Sequence, residues 1–190
     1  MSDQEFQSFQ KHQRSNWVRL RTLVILRWVA IAGQVAAIWV ATQIYDLQIE
    51  VAAAALIIAS SVIANLFSIF LYPENRRLTE REATLMLVFD IVQLCLLLYL
   101  TGGLNNPFAL LVLAPVTIAA TVLSLGNMII VGLVAIGLVS VLGFAHIPIL
   151  MASGEILSMP PLFQFGFWVS LVNGVLFLAY YSRQVTTEMH

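Results

Sequence analysis

Charge is what this sequence has least of. Only 10% of its 190 residues are Asp, Glu, Lys or Arg, while 60% are hydrophobic. Water-soluble domains carry about a quarter charged residues, so this composition excludes an ordinary soluble domain and indicates a membrane protein. A formal net charge of −1 leaves no basic face large enough to hold phosphates, which excludes nucleic acid as a partner. Cysteine is reduced to Cys95, inside an apolar run. It has no intrachain disulfide partner, and a thiol surrounded by hydrocarbon packs rather than reacts. Also missing are His-Glu-x-x-His, Gly-x-Ser-x-Gly and a phosphate-cradling glycine loop. His12, His146 and His190 are scattered over both faces of the membrane, so neither a metal nor a haem site is expected. The chain itself carries no catalytic machinery.

What is present is a series of apolar runs. A span needs about 20 such residues to cross a core about 30 Å thick. Six stretches qualify, Leu23–Gln43, Val51–Leu71, Ala83–Leu100, Phe108–Leu123, Met128–Ile147 and Leu162–Tyr181. They predict an all-α membrane protein, a bundle of six transmembrane helices over residues 23–181. A cytoplasmic segment, 1–22, precedes the bundle, and 182–190 begins a cytoplasmic signalling helix. The first run is too long for a signal-peptide core and five more follow, so it is expected to anchor the chain. The fourth run is the shortest and contains Pro115, which predicts a kink or a thinned site.

Orientation follows from the basic residues. Lys11, Arg14, Arg19, Arg21 and Arg27 precede or open the first span, Arg76, Arg77 and Arg81 follow the second, and Arg183 follows the sixth. Alternating spans put all of them on one side, so both termini are expected in the cytoplasm of a bacterial inner membrane. In the inner connection Ser124-Leu125-Gly126-Asn127, Gly126 and Asn127 suit positive φ at a helix end. The outer segment Pro148–Pro161 has apolar residues suited to a short helix lying in the interface. In the sixth span Gly166, Ser170 and Gly174 form a smooth stripe, open to two readings: packing within one bundle, or the seam of a homodimer.

The most unusual segment is the outer loop Thr101-Gly102-Gly103-Leu104-Asn105-Asn106-Pro107-Phe108. A well-made turn accounts for much of it: adjacent glycines relieve the backbone, Asn106 caps the next helix, and Pro107 takes its first position. The functional reading is a site for a flat, uncharged ring. The glycines would let the ring lie against the backbone, and Asn105 and Asn106 would donate to its carbonyls. Phe108 or Trp168 would supply an aromatic wall, and His146 is the titratable ring at similar depth. A quinone meets these requirements.

Within the spans Gln34, Asn65, Asp90, Gln93 and Asn173 form a polar set. A charged Asp inside the bilayer is costly, so Asp90 is expected to be protonated, paired or turned into the bundle. A network joining helices is one reading. The other is a proton or ion relay, as in a small coupled transporter using Asp90, although broken helices and internal repeats typical of transporters are not evident.

The heptapeptide Gly102-Gly103-Leu104-Asn105-Asn106-Pro107-Phe108 resembles the GGxxNPF quinone-binding signature of the RegB/PrrB-type redox-sensing histidine kinases. Flanking residues fit as well: Thr22–Arg27-Trp28, Asp90 and Gln93 before Tyr99-Leu100-Thr101, and Ala109–Leu113-Ala114-Pro115-Val116. The resemblance covers essentially the whole chain and implies the family's six-helix sensor domain. It implies ubiquinone as ligand, bound by Gly102, Gly103, Asn106, Pro107 and Phe108, with no metal. It further implies a dimeric cytoplasmic kinase core and a response regulator as partners. The family's phosphoacceptor His box, redox cysteine and ATP-binding domain would follow the sixth helix and are not in this chain; Cys95 does not match the redox cysteine.

Overall fold

The structure is a computed structural model that describes residues 20–71 and 78–188. Lys11, Arg14, Arg19, Arg76, Arg77, His12 and His190 lie outside the described residues. The helices are α1 (Leu20–Gln43), α2 (Val51–Leu71), α3 (Glu80–Leu100), α4 (Leu113–Val122), α5 (Leu125–Phe144) and α6 (Pro161–Glu188). All but α4 are long and apolar enough to cross a membrane, and α4 is extended at its start by a 3₁₀ segment, Pro107–Val112.

Local chemistry sets the boundaries. α3 opens three residues earlier than its apolar run because Thr79 and Glu82 form a capping box, each satisfying the other's backbone N–H. The fourth span changes winding where the sequence predicted trouble. Pro115 has no N–H and its ring crowds the carbonyl four residues back, so regular α-helix gives way to 3₁₀ before it. Two local expectations are corrected. Gly126 and Asn127 do not take positive φ; they belong to the first turn of α5, after Ser124, whose N–H donates to the Glu80 carboxylate. The segment after α5 is no helix but a hairpin of β1 (Ile149–Leu150) and β2 (Ile156–Leu157), turned at Gly154 with φ 83°. Gln48, from the α1–α2 connection, donates its backbone N–H to the Leu150 carbonyl and holds the hairpin down.

The main core joins α3, α4, α5 and α6, with Leu87, Ile91, Val116, Met128 and Leu171 fully enclosed. A smaller cluster of Ile31, Ala54, Ile58 and Leu97 attaches α1 and α2 to α3. The small-residue stripe of α6 splits. A Cβ on Gly174 would stand 3.2 Å from both methyls of Leu113, so this glycine serves packing within the bundle, whereas Gly166 meets nothing within 4 Å. Ser170 is exposed and donates to the Gly166 carbonyl of its own helix.

Candidate functional site

The loop between α3 and the Pro107–Val112 segment is built tightly. Gly102 and Gly103 take φ of 92° and 60°, a region that favours glycine. A Cβ on Gly103 would lie 2.6 Å from the Leu142 carbonyl oxygen and 2.7 Å from the His146 ring; one on Gly102 would meet Ile149 at 3.1 Å. Asn105 clamps the loop from the side. Its amide nitrogen donates to the Gly102 carbonyl at 3.1 Å and lies 3.2 Å from His146 Nε2, while its oxygen accepts the Met159 N–H at 2.9 Å. That last bond fixes which end of the amide is oxygen. His146 Nε2 must therefore accept, and its Nδ1–H donates to the Leu142 carbonyl at 3.1 Å.

Asn106 faces another way. Its oxygen caps the next helix through the Phe108 N–H at 2.9 Å, and its nitrogen donates to Thr101 Oγ1 at 2.8 Å. Thr101, Asn106 and Phe108 stand in the wall of a cleft of about 440 Å³ that continues between α1, α3 and the Pro107–α4 helix. Leu26, Val29 and Leu111 are exposed at its margin, so it opens on the outer flank of the bundle.

Two polar crosslinks between α1 and α3 line that cleft. Arg27 Nε donates to Asp90 Oδ1 at 2.7 Å, and the amides of Gln34 and Gln93 bond each other reciprocally at 3.2 and 3.0 Å. The Arg27 guanidinium also lies 5.5 Å from the Phe89 ring centre.

The family model for the PilS-like transmembrane domain matches residues 9–189. The chain belongs to this family. Two sensor histidine kinase RegB proteins of Cereibacter sphaeroides are 48% and 50% identical to it over 176 residues. The matched region is 93% of this chain and 38% of each relative, so the chain spans well under half of their length. No solved structure matches. The likeness to RegB drawn from the loop is thereby borne out, and this PilS-like domain is a multi-pass protein of the bacterial inner membrane.

In the PilS-like domain the residues singled out from sequence are distributed unevenly. Asn106 and Phe108 reach the cleft; Gly102, Gly103, Asn105 and Pro107 do not line it. The room above the two glycines is taken by Ile149, His146 and the Leu142 carbonyl, which corrects the expectation that a ring lies against them. His146 is tied to Asn105 and Leu142, and Trp168 donates to Ser140 at 3.0 Å across the α5–α6 contact while stacking on Phe165. Of the polar set, Asn65 is fully buried and donates to the Val24 carbonyl at 3.0 Å. Asn173 is not part of the network: it is exposed and bonds its own helix at Val169. Arg27 is the residue that sequence reasoning misplaced. Instead of marking the membrane edge, it is only 6% exposed and bonds Asp90 in the middle of α3. The signal was available, since one Arg and one Asp inside apolar spans invite pairing.

Proposed function

We propose that this chain is the sensor domain of a two-component histidine kinase, which binds a membrane quinone and relays the redox state of the quinone pool to a cytoplasmic kinase core that phosphorylates a response regulator. The observation that carries the reading is the cleft. Asn106 and Phe108 of the signature-like loop enter the wall of an apolar cavity that opens on the flank of a membrane bundle and has the volume of a small-ligand site. Relatedness to RegB supports the kinase context.

The residues present fit such a ligand. Apolar side chains from α1, α3 and the Pro107–α4 helix would hold the ring and the start of a lipid tail, and Phe108 lines the loop end of the cleft. Arg27 lines the same cleft, and its Nη2 has no hydrogen-bond partner among the described residues. When bound, the quinone brings a redox state; the protein contributes a preference. Because the cleft separates α1 from α3, occupancy favours one spacing of these helices, and the shift is limited to the difference in affinity between the two spacings. α6, continuous to Glu188, is the route to the kinase core, with the basic side of the bundle in the cytoplasm. The exposed Gly166 and Ser170 face of α6 is the homodimer contact. The transporter alternative would use Asp90 as its coupling site; Asp90 is paired with Arg27.

The test is a titration of the purified domain in nanodiscs with a short-tailed ubiquinone, followed by tryptophan quenching. Saturable binding is expected, weakened several-fold by Phe108→Ala with little change in melting temperature. A wild-type domain that binds no quinone overturns the proposal.

A further inference from the structure

The cleft is too long for one ring to touch both of its polar ends. Asp90 is about 15 Å along α3 from Leu100, so the Arg27–Asp90 pair lies deep in the bilayer part of the bundle while Asn106 lies beyond the end of that helix. A ring carbonyl must therefore choose an end.

Hydrogen-bonding capacity is unequal between them. At the loop end the polar groups already have partners: Asn106 oxygen accepts from Phe108, Asn106 nitrogen donates to Thr101, and the Thr101 hydroxyl donates to the Leu97 carbonyl at 2.8 Å. One turn of α3 beyond the ion pair, the Gln34 and Gln93 amides satisfy each other. Arg27 is different. Its Nε is on Asp90, but its Nη2 has no hydrogen-bond partner among the described residues, although the side chain is only 5% exposed. A buried N–H of a charged group without an acceptor is costly, and such groups in native structures call for a partner. Asn65 Oδ1 is the other orphan among the described residues, but it is an acceptor and Asn65 does not line the cleft.

We propose, resting on the quinone reading above, that the Arg27 guanidinium is the headgroup anchor: a ring carbonyl oxygen accepts from Nη2 beside the Arg27–Asp90 pair, and the 101–108 loop closes the far end of the cleft around the rest of the molecule. Asp90 then acts as a positioning residue. It holds the guanidinium across the gap between α1 and α3, so one nitrogen is committed to protein while Nη2, covered in the ligand-free domain, lacks a protein acceptor among the described residues. The ligand class is a lipid-soluble ring carrying a carbonyl acceptor, entering from the lipid side between Leu26, Val29 and Leu111.

The experiment uses the domain in nanodiscs, carbonyl-¹³C-labelled short-tailed ubiquinone, and two readouts: affinity and the isotope-edited infrared C=O stretch. Arg27→Lys keeps a cation facing Asp90 but removes the guanidinium fork. For the wild type, one carbonyl band moves clearly down on binding; in Arg27→Lys that shifted band is lost and affinity falls about tenfold or more. Binding with unchanged affinity and unchanged bands in Arg27→Lys overturns the anchor and leaves the quinone reading standing. In that case Asp90 closes on both nitrogens. If Arg27→Lys does not fold, the wild-type spectrum decides alone, because two unshifted carbonyl bands also overturn the anchor. A wild type that binds no quinone removes both proposals.

Discussion

Arg27 Nε and Asp90 Oδ1 meet at 2.7 Å, each on a helix that crosses the membrane, and the pair bridges α1 to α3 at the wall of the cleft. Charges inside a bilayer are tolerated when each neutralises the other, so removing one is worse than removing both. Asp90→Leu alone is expected to destabilise the domain by about 3 kcal/mol. The double variant Arg27→Met/Asp90→Leu recovers most of that loss. Unfolding titrations in mixed micelles measure the cycle, and single variants no worse than the double would show that the pair does not bear on stability.

Gly103 and Gly166 separate the two uses of glycine here. Gly103→Ala forces φ near 60° on a residue with a Cβ and drives that carbon against the Leu142 carbonyl. The expected loss is about 2 kcal/mol or more. Gly166→Ala meets open space, so its effect stays within about 0.5 kcal/mol. Thermal melts of the two variants in the same nanodiscs compare them. Equal melting temperatures would contradict the packed loop.

Asn105 is expected to act on the loop rather than on the ligand. Asn105→Ala removes three hydrogen bonds at once and frees the Met159 N–H, so amide exchange at Met159 and at the hairpin accelerates. Quinone affinity falls less than in Phe108→Ala. A larger fall in affinity for Asn105→Ala would place the ring at the glycine turn after all.

Much of the fold was legible because the rules that set it are local. Apolar runs located the spans, and Asn106-Pro107 marked a helix start that the structure places at Pro107. Pro115 marked the weak fourth span, where 3₁₀ winding gives way to α-helix. What stayed hidden depends on partners far along the chain. Arg27 follows Arg19 and Arg21 and so reads as a flanking charge; only its burial and the position of Asp90, 63 residues on, reveal it as interior. The two glycines announce an unusual backbone, but their sequence does not say whether ligand or protein fills the space they leave. Ile149 and His146, from the far side of α5, fill it. The apolar residues of 149–157 suit a helix or a hairpin alike, and Gln48, from the distant α1–α2 connection, bridges to Leu150.

The face of α6 carrying Gly166 and Ser170 is expected to contact a second copy. Gly166→Leu should shift the domain toward monomer in single-molecule photobleaching of native nanodiscs, while Gly174→Leu unsettles the bundle itself by striking Leu113. A Gly166→Leu domain that remains as dimeric as the wild type would move the seam elsewhere.

The most direct measurement is photolabelling of the domain in nanodiscs with an azido-ubiquinone, followed by peptide mapping. Label is expected on α1 between Leu23 and Ile38, on α3 from Asp90 onward, at Thr101 and near Phe108, with competition by unmodified ubiquinone. Label confined to the 149–157 hairpin or to the α5–α6 contact around Trp168 would contradict it.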